Sequence, residues 1–424
     1  MPFCRECGGQ VEATWKFCPH CNSEQESSVV IGNDSVHVGD ITVNKIDEIK
    51  QGLEEVLAGL GFTKDSSPTE LTSSQEAEVE QVLEMSEQLA SHGIEIDPWT
   101  EITLGNAAEL AGRTHSAQQH YLRALETFRK SGDRQGEAAS LINLGNIAKT
   151  RGDLAEAERL QRESLAIKRE IGDRQGEAAS LINLGNIAQT RGDLAEAERL
   201  QRESLAIKRE IGDRQGEAAS LGNLGNIAKT RGDLAEAERL QRESLAIERE
   251  IGNRQGEAAS LNNLGNIAQT RGDLAEAERL HRESLPIKRE IGDRQGEADS
   301  LGNLGNIAQT RGDLTEAERL YREALAIRRE IGDRGGEAIS LGNLGNIAKT
   351  RGDLAEAERL HRESLAIVRE IGDRQGEAGS LINLGIIASK NGNMDERHRC
   401  YTEAVRIQRE IDIPIDQWFI DNGY

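Results

Sequence analysis

Four cysteines near the N-terminus have the spacing of a metal site. Cys4 and Cys7 form one Cys-x2-Cys knuckle, Cys18 and Cys21 form a second, and ten residues separate the two knuckles. Four thiolates at this spacing complete the tetrahedral coordination of one Zn²⁺ ion, because each knuckle supplies two sulfurs. All four ligands come from the protein, so no position is left for a substrate and the predicted zinc is structural. The alternative is two disulfides, which a cytosolic protein does not favour.

The segment that carries these cysteines, residues 1–26, resembles the zinc ribbons often found at the start of prokaryotic proteins. Phe3, Trp15 and Phe17 are available as the apolar backing that such a small domain needs. The resemblance implies a structural module that is stabilised by its metal.

No arrangement of side chains typical of an active site can be defended elsewhere in the sequence. The tripeptide Arg-Gly-Asp, first found at residues 151–153, occurs in six copies, but its aspartate is placed to cap a helix. His281 and His361 occupy equivalent positions two repeats apart, too far for one metal ion, and are expected on the surface or in a groove. We therefore expect a protein that is not an enzyme.

The elements that must position any functional side chain are repeats of 40 residues. The stretch DRQGEAASLINLGNIAKTRGDLAEAERLQRESLAIKREIG, residues 133–172, returns nearly unchanged until about residue 412. A more divergent copy precedes it, which gives eight units from about Gly93 to Asp412. The glycine of the Leu-Gly-Asn core marks the period at Gly145, Gly185, Gly225, Gly265, Gly305, Gly345 and Gly385. A fixed period of this length indicates a solenoid of stacked supersecondary units.

Each unit is predicted to form two helices, A and B, joined by short turns. Asp153 is a good N-cap and Glu156 completes a capping box, so helix B is predicted to run from Leu154 to Ile171. Gly172 then takes the left-handed conformation that ends a helix. Helix A is predicted to end near residues 151–152. Apolar residues at spacings of three and four give each helix one buried stripe: Ala138, Leu141, Leu144 and Ala148 in helix A, and Leu154, Ala157, Leu160, Leu165 and Ile167 in helix B.

The pattern Leu141, Leu144-Gly145, Ala148, Gly152-Asp153, Ala157, Leu165 resembles the tetratricopeptide repeat (TPR). The 40-residue form, with its Asn-Leu-Gly-Asn and Ile-Gly-Asp-Arg phrases, is most similar to the repeats of Pins/LGN-type polarity adaptors. The resemblance covers about three quarters of the chain and implies an all-α, right-handed superhelical solenoid of about eight helix pairs. TPR arrays are mostly binding scaffolds with differing ligands, so the resemblance does not name the ligand.

Shorter segments flank the predicted array of residues 93–412. Residues 29–44 predict short strands with tight turns, and the apolar spacing from Ile46 to Leu60 predicts an amphipathic helix. Residues 27–62 are therefore a candidate oligomerisation module, acting through residues 29–60, with packing of the helix inside the monomer as the alternative. A linker is predicted at residues 63–75, a capping helix at 76–92 and a C-terminal capping segment at 413–424. Cys400 replaces a leucine of other copies and is predicted to be a buried apolar residue.

The TPR resemblance implies that certain helix A positions line a concave groove. In the first complete copy these positions are Ala139, Ile142, Asn143, Asn146, Lys149 and Thr150. Two of them carry asparagine in nearly every copy: Asn143, Asn146, Asn183, Asn186, Asn223, Asn226, Asn263, Asn266, Asn303, Asn306, Asn343 and Asn346. Because an amide matches the donor and acceptor of a peptide bond, the row is predicted to hold a polypeptide by its backbone, beside Lys149, Lys229 and Lys349. Hydrogen bonding between repeats is the alternative role, and it need not exclude binding.

Some positions vary although their surroundings are duplicated. Ile142 is replaced by Gly222, Asn262, Gly302 and Gly342 in other copies, which suits side-chain pockets tuned for one ligand. Free drift of solvent-facing residues is the alternative explanation. The position of Lys168, which becomes Glu248, Arg328 or Val368, is interpreted as such a solvent-facing position outside the groove.

Charge and hydropathy narrow the class of protein further. The net charge is −22, whereas the repeat at residues 133–172 has seven acidic and seven basic side chains, so most of the excess lies between Glu24 and Glu126. An acidic chain repels a phosphate backbone, which argues against nucleic acid as the main partner. No apolar run is long enough to span a membrane and no signal peptide is recognisable, so we expect a cytoplasmic protein.

These observations together predict a non-enzymatic adaptor that binds a partner peptide or helix in the groove of a TPR solenoid. One alternative is a structural oligomer assembled through its N-terminal module. The other is a regulatory subunit whose zinc ribbon contacts nucleic acid.

Overall fold

The computed structural model describes residues 29–32, 35–38, 41–43, 46–64, 66–91 and 93–424. The predicted zinc ribbon, with Cys4, Cys7, Cys18 and Cys21, lies outside these residues. The chain divides into two compact units, Met1–Ile207 and Lys208–Tyr424.

The stretch for which the sequence predicts short strands forms an antiparallel sheet in the first unit. Its strands are β1 (Val29–Gly32), β2 (Ser35–Val38) and β3 (Ile41–Val43). They pair in sequence order, and the register places Val29 opposite Val38. The sheet is therefore a meander in which each strand pairs with the next one along the chain.

All other regular structure in the described part of the chain is helical. Two helices precede the repeats, α1 (Ile46–Gly59) and α2 (Ser73–Ser91), and α19 (Gln417–Asp421) follows them. Eight pairs lie between: α3 (Pro98–Leu110) and α4 (Thr114–Ser131), α5 (Arg134–Thr150) and α6 (Leu154–Glu170), α7 (Arg174–Thr190) and α8 (Leu194–Glu210), α9 (Arg214–Thr230) and α10 (Leu234–Ile251), α11 (Arg254–Thr270) and α12 (Leu274–Glu290), α13 (Arg294–Thr310) and α14 (Leu314–Glu330), α15 (Arg334–Arg351) and α16 (Leu354–Glu370), α17 (Arg374–Lys390) and α18 (Met394–Glu410). In each pair the first helix is helix A and the second is helix B.

Helix α1 packs inside its own unit. Leu53 and Leu57 are buried in one apolar core with Val79 of α2. The hydroxyl of Thr100 in α3 donates to Glu54 of α1, with 2.9 Å between Oγ1 and Oε1. Of the apolar residues whose spacing was considered for self-association, Leu53 and Leu60 are buried within the monomer, whereas Val56 is exposed.

Helix α2 begins at Ser73, inside the stretch predicted to be a linker. The N–H of Thr72 donates to Gln75 Oε1 over 2.9 Å, and the N–H of Gln75 donates to Thr72 Oγ1 over 3.4 Å. This reciprocal pair is a capping box. It satisfies backbone donors at the start of the helix. Helix α2 therefore begins at Ser73, before the predicted start at residue 76.

The turns between repeat helices follow the predicted caps with one difference. Asp153 accepts a hydrogen bond from the N–H of Glu156 over 3.0 Å, and Gly172 has a φ of 71°, both as predicted. The capping box is not completed, because the Glu156 carboxylate binds Arg159 (Oε1 to NH2, 2.6 Å). The N–H of Asp153 instead donates to the carbonyl of Ala148 over 2.9 Å. Asp153 therefore closes helix A and caps helix B, which keeps the turn short.

The C-terminal segment covers the last helix pair. Phe419 of α19 is buried against Tyr401 of α18, with 5.1 Å between the ring centroids. Trp418 and Tyr424 contact the same tyrosine ring edge-on. The prediction for Cys400 is confirmed: it is buried, and burial raises the pKa of its thiol to about 11.

Candidate functional site

One face of the A helices stays partly exposed in each unit. This helix A face consists of the positions equivalent to Ala139, Ile142, Asn143, Asn146, Lys149 and Thr150. In the first complete repeat all six are half-buried or exposed, whereas Leu141 and Leu144 of the same helix are buried in the core. The predicted groove residues are therefore accessible to a ligand, on a surface that the core holds in place.

The asparagines of this face are joined by amide hydrogen bonds between repeats. In the first unit, Asn143 Nδ2 donates to Asn106 Oδ1 over 3.5 Å, and Asn183 Nδ2 donates to Gln161 Oε1 over 3.4 Å. Gln161, from helix B, also donates to Asn146 Oδ1 over 3.4 Å. Neighbouring A helices are thus linked along this face through their side-chain amides.

The same links are present in the second unit. Asn303 Nδ2 donates to Asn266 Oδ1 over 3.4 Å. Lys349 Nζ donates to Asn346 Oδ1 over 2.9 Å and to Asn383 Oδ1 over 2.7 Å, and burial lowers the pKa of this lysine. The alternative role considered for the asparagines, bonding between repeats, is therefore present. One such bond uses only one of the two N–H donors of an amide, so capacity for a ligand remains.

A buried helix B position lies directly beneath this face. Its residues are Tyr121, Gln161, Gln201, Gln241, His281, Tyr321, His361 and Tyr401. Each packs against the glycine of the Leu-Gly-Asn core, and a Cβ added at Gly265 would lie 2.7 Å from the ring of His281. The prediction that His281 and His361 are surface or groove residues is therefore wrong. Burial lowers the pKa of both imidazoles to about 4, so they are neutral at pH 7.

The sequence contains a signal that identifies this position as buried. Gln161 lies four residues after Ala157 and four before Leu165, so it belongs to the same helical stripe. The expectation that His281 and His361 lie on the surface rests on their residue type and overlooks this spacing.

A second buried helix B position carries charged side chains. Its residues are Lys168, Lys208, Glu248, Lys288, Arg328 and Val368. All six are buried, so the interpretation of this position as solvent-facing is wrong. A glycine of the next helix A makes room for the side chain: a Cβ added at Gly216 would lie 2.6 Å from Lys208 Cδ. Lys208 Nζ pairs with Asp213 Oδ2 over 2.6 Å, and this bond lowers the pKa of Asp213.

The charge at this position and that of its partner change together in one repeat. Glu248 stands where four other repeats have lysine or arginine, and Asn253 stands where Asp213 pairs with Lys208. The double change prevents two carboxylates from facing each other in a buried place. Burial nevertheless raises the pKa of Glu248, against a hydrogen bond from Asn253. The paired substitution is visible in the sequence and was the available signal that the two side chains touch.

Buried carboxylates at the turns between repeats hold arginines from two helices. Glu217, at the start of α9, accepts a bond from Arg209 Nε of α8 over 2.7 Å and another from Arg214 NH1 over 2.5 Å. Arg209 also reaches Glu243 of α10, with 2.5 Å between NH2 and Oε1. Equivalent clusters are centred on Glu137, Glu177, Glu257, Glu297, Glu337 and Glu377. These clusters fix successive helix pairs to one another.

Within the described ranges, no helix is sufficiently long and apolar to cross a lipid bilayer.

Helix pairs that recur every 40 residues and present one accessible A-helix face define a helix-pair repeat protein. The profile of the tetratricopeptide repeat family matches residues 98–170, 176–250, 256–330 and 336–410. These matches cover well over half of the chain, so the chain belongs to the tetratricopeptide repeat family. No curated protein is similar enough in sequence to be matched.

Several solved structures resemble the fold. The apo form of RapI is 13% identical with a TM-score of 0.60, and the similarity covers 85% of this chain and 98% of RapI. The apo form of the quorum sensor NprR from B. thuringiensis is 14% identical with a TM-score of 0.56, covering 85% of this chain and 99% of NprR. Aspartyl phosphate phosphatase F from Bacillus subtilis is 9% identical with a TM-score of 0.56, covering 88% and 97%. At these identities the similarity concerns the all-α solenoid fold alone.

Proposed function

We propose that this chain is a non-enzymatic scaffold that captures a segment of a partner polypeptide on its helix A face. The observation that carries the proposal is the row of half-exposed asparagines, of which Asn143, Asn183 and Asn303 donate to a side-chain amide of the preceding repeat. Amides that are already oriented lose little conformational entropy when they bind peptide groups. The phrases shared with Pins/LGN-type adaptors, and the description of the structurally similar NprR as a quorum sensor, agree with a binding role.

The test begins with random peptides displayed on phage and selected on the full-length chain. We expect Asn186→Ala combined with Asn226→Ala to weaken binding of the selected peptides about tenfold, which corresponds to roughly 1.4 kcal/mol. Helicity measured by circular dichroism should stay unchanged, because these asparagines accept only long bonds, 3.5 Å from Gln201 and 3.3 Å from Gln241.

The matched control replaces two exposed arginines of the B helices, Arg162→Ala with Arg242→Ala, and should leave the affinity unchanged. Equal affinities for the asparagine variant and the control would contradict a binding role for these asparagines.

For the N-terminal segment we propose one structural Zn²⁺ held by Cys4, Cys7, Cys18 and Cys21. The spacing of the two knuckles supports this proposal. Elemental analysis of the purified chain should give one zinc per molecule, and Cys4→Ser with Cys7→Ser should abolish it. Cys400→Ser is the control that retains the metal, because Cys400 is buried in the last repeat. Two disulfides found by mass spectrometry without reductant would overturn the assignment.

A further inference from the structure

We propose that the helix A face of the α9–α10 repeat contains a pocket for an arginine side chain of the captured polypeptide, with Glu248 as its base. This inference rests on the proposed function, and it names the side chain that one repeat selects.

Glu248 is a buried carboxylate with unused hydrogen-bonding capacity. The side chain lies over Gly256 of α11, and the residue is 5% exposed. Among the residues that the structure describes, none bonds its Oε2. A buried charge is ordinarily paired with an opposite charge. The equivalent Lys208 follows that rule through Asp213, whereas Asn253 offers Glu248 only a neutral amide.

The helix A face is open beside Gly222 in the same repeat. Gly222 replaces the isoleucine found at residues 142 and 182, and a Cβ added there meets only Ser244 Oγ, at 3.9 Å. Gly222 itself is half-buried and Ala219, one turn earlier, is exposed. A ligand side chain can therefore enter beside Gly222 where an isoleucine would stand in its way.

The α13–α14 repeat shows that a guanidinium fits this space. Arg328 is the equivalent of Glu248, and its NH2 lies 3.7 Å from a Cβ added at Gly302, the equivalent of Gly222. The same NH2 donates to Asp299 Oδ1 over 3.1 Å, and the Asp299 side chain is 47% exposed on the helix A face. NH1 donates to Ser340 Oγ over 2.9 Å. The guanidinium thus lies between two A helices, within reach of the exposed face.

In the α9–α10 repeat we infer that the space equivalent to that of the Arg328 guanidinium is available to a ligand side chain. Glu248 is shorter than Arg328 and has the opposite charge, and Ser260 stands at the position of Ser340 with its hydroxyl 3.3 Å from Ser244 Oγ. A guanidinium entering beside Gly222 meets the Glu248 carboxylate and the Ser260 oxygen. The planar fork of arginine matches a carboxylate with two parallel bonds, which a lysine ammonium cannot form.

The experiment uses the full-length chain and the phage-displayed random peptides described above. The wild-type chain should enrich peptides with arginine at one fixed position. Replacement of that arginine by citrulline, which has the same shape without the charge, should weaken binding about tenfold for the wild type and less than about twofold for Glu248→Gln. Gly222→Ile, which restores the side chain of residues 142 and 182, should also remove the arginine preference.

The control is Gly342→Ile. This glycine is equivalent to Gly222, but its repeat carries Val368 in place of Glu248, so the change should leave the arginine preference intact. Circular dichroism of each variant verifies that the fold is retained. Failure of the wild type to select any peptide contradicts the proposed function and the pocket with it. Selected peptides without an arginine preference, with lysine as effective as arginine, or with a preference that persists in Glu248→Gln, contradict the pocket alone.

Discussion

Gly305→Ala should lower the free energy of unfolding of the second unit by about 1–3 kcal/mol, although alanine is the better helix former. The added Cβ would lie 2.6 Å from Cε1 of Tyr321, closer than two carbon atoms approach. The ring cannot move away easily, because it is fully buried and its single O–H donor lies 2.6 Å from Asn306 Oδ1 and 3.0 Å from Gln309 Oε1. Relief of the clash requires the two helices to separate or these bonds to break. Urea unfolding followed by circular dichroism measures the loss.

The chain supplies a matched control for this substitution. Gly185 occupies the equivalent position in another repeat, but its neighbour is the flexible end of Gln201, with Nε2 3.0 Å from an added Cβ. Gly185→Ala should therefore be within about 0.5 kcal/mol of neutral, because the gain in helix propensity offsets a small displacement. In a Tyr321→Gln background, where the obstructing ring is gone, Gly305→Ala should cost no more than Gly185→Ala does. If the two single glycine variants are equally stable, the aromatic ring is not the obstacle.

Glu217→Gln should cost about 2 kcal/mol at pH 7, because a neutral amide replaces a carboxylate that accepts charge-assisted bonds from two arginines. The expected loss of stability is not larger because Arg209 and Arg214 are 47% and 40% exposed and are rehydrated when the pairing is lost. The cost should appear as a lower urea midpoint for the variant than for the wild type.

The difference between Glu217→Gln and the wild type should depend on pH. Burial alone raises the pKa of Glu217, but the bonds from Arg209 and Arg214 outweigh it, so the pKa in the folded state is below the ordinary value. A lowered pKa contributes stability that is fully present above the unfolded pKa of about 4.3 and is lost as the pH falls through the folded pKa. The two urea midpoints should therefore converge in acid. Glu84→Gln, at an exposed position of α2, should match the wild type at every pH, and a constant gap for Glu217→Gln would contradict the assignment.

The repeat architecture could be predicted from the sequence because each copy carries its own stop and start signals. Gly172 ends one helix, Asp173 begins the next, and the apolar spacing between such signals leaves one face for the core. The type of a polar residue, in contrast, does not indicate whether its side chain is buried. His281 and Glu248 are buried because glycines of neighbouring A helices, Gly265 and Gly256, leave room for them, and such contacts between helices are not part of the periodicity within one helix.

The residues of the candidate site were predicted more fully than their bonding. The asparagines are half-exposed or exposed on the A helices, and their role in binding a partner stays a prediction. Their links depend on the spacing of neighbouring A helices, as in the 3.4 Å contact from Asn303 to Asn266, and on side-chain rotamers that periodicity does not determine. The pocket at Glu248 depends in the same way on a contact between α10 and α11.

The paired substitution at Glu248 and Asn253 restricts how the array of repeats can change in length. Loss or gain of a whole 40-residue block, by recombination between segments that encode near-identical repeats, joins the same types of surface on both sides. A crossover between these two codons does not, since it leaves a glutamate beside an aspartate on one product and a lysine beside an asparagine on the other. Viable length variants should therefore inherit the two codons as a single block.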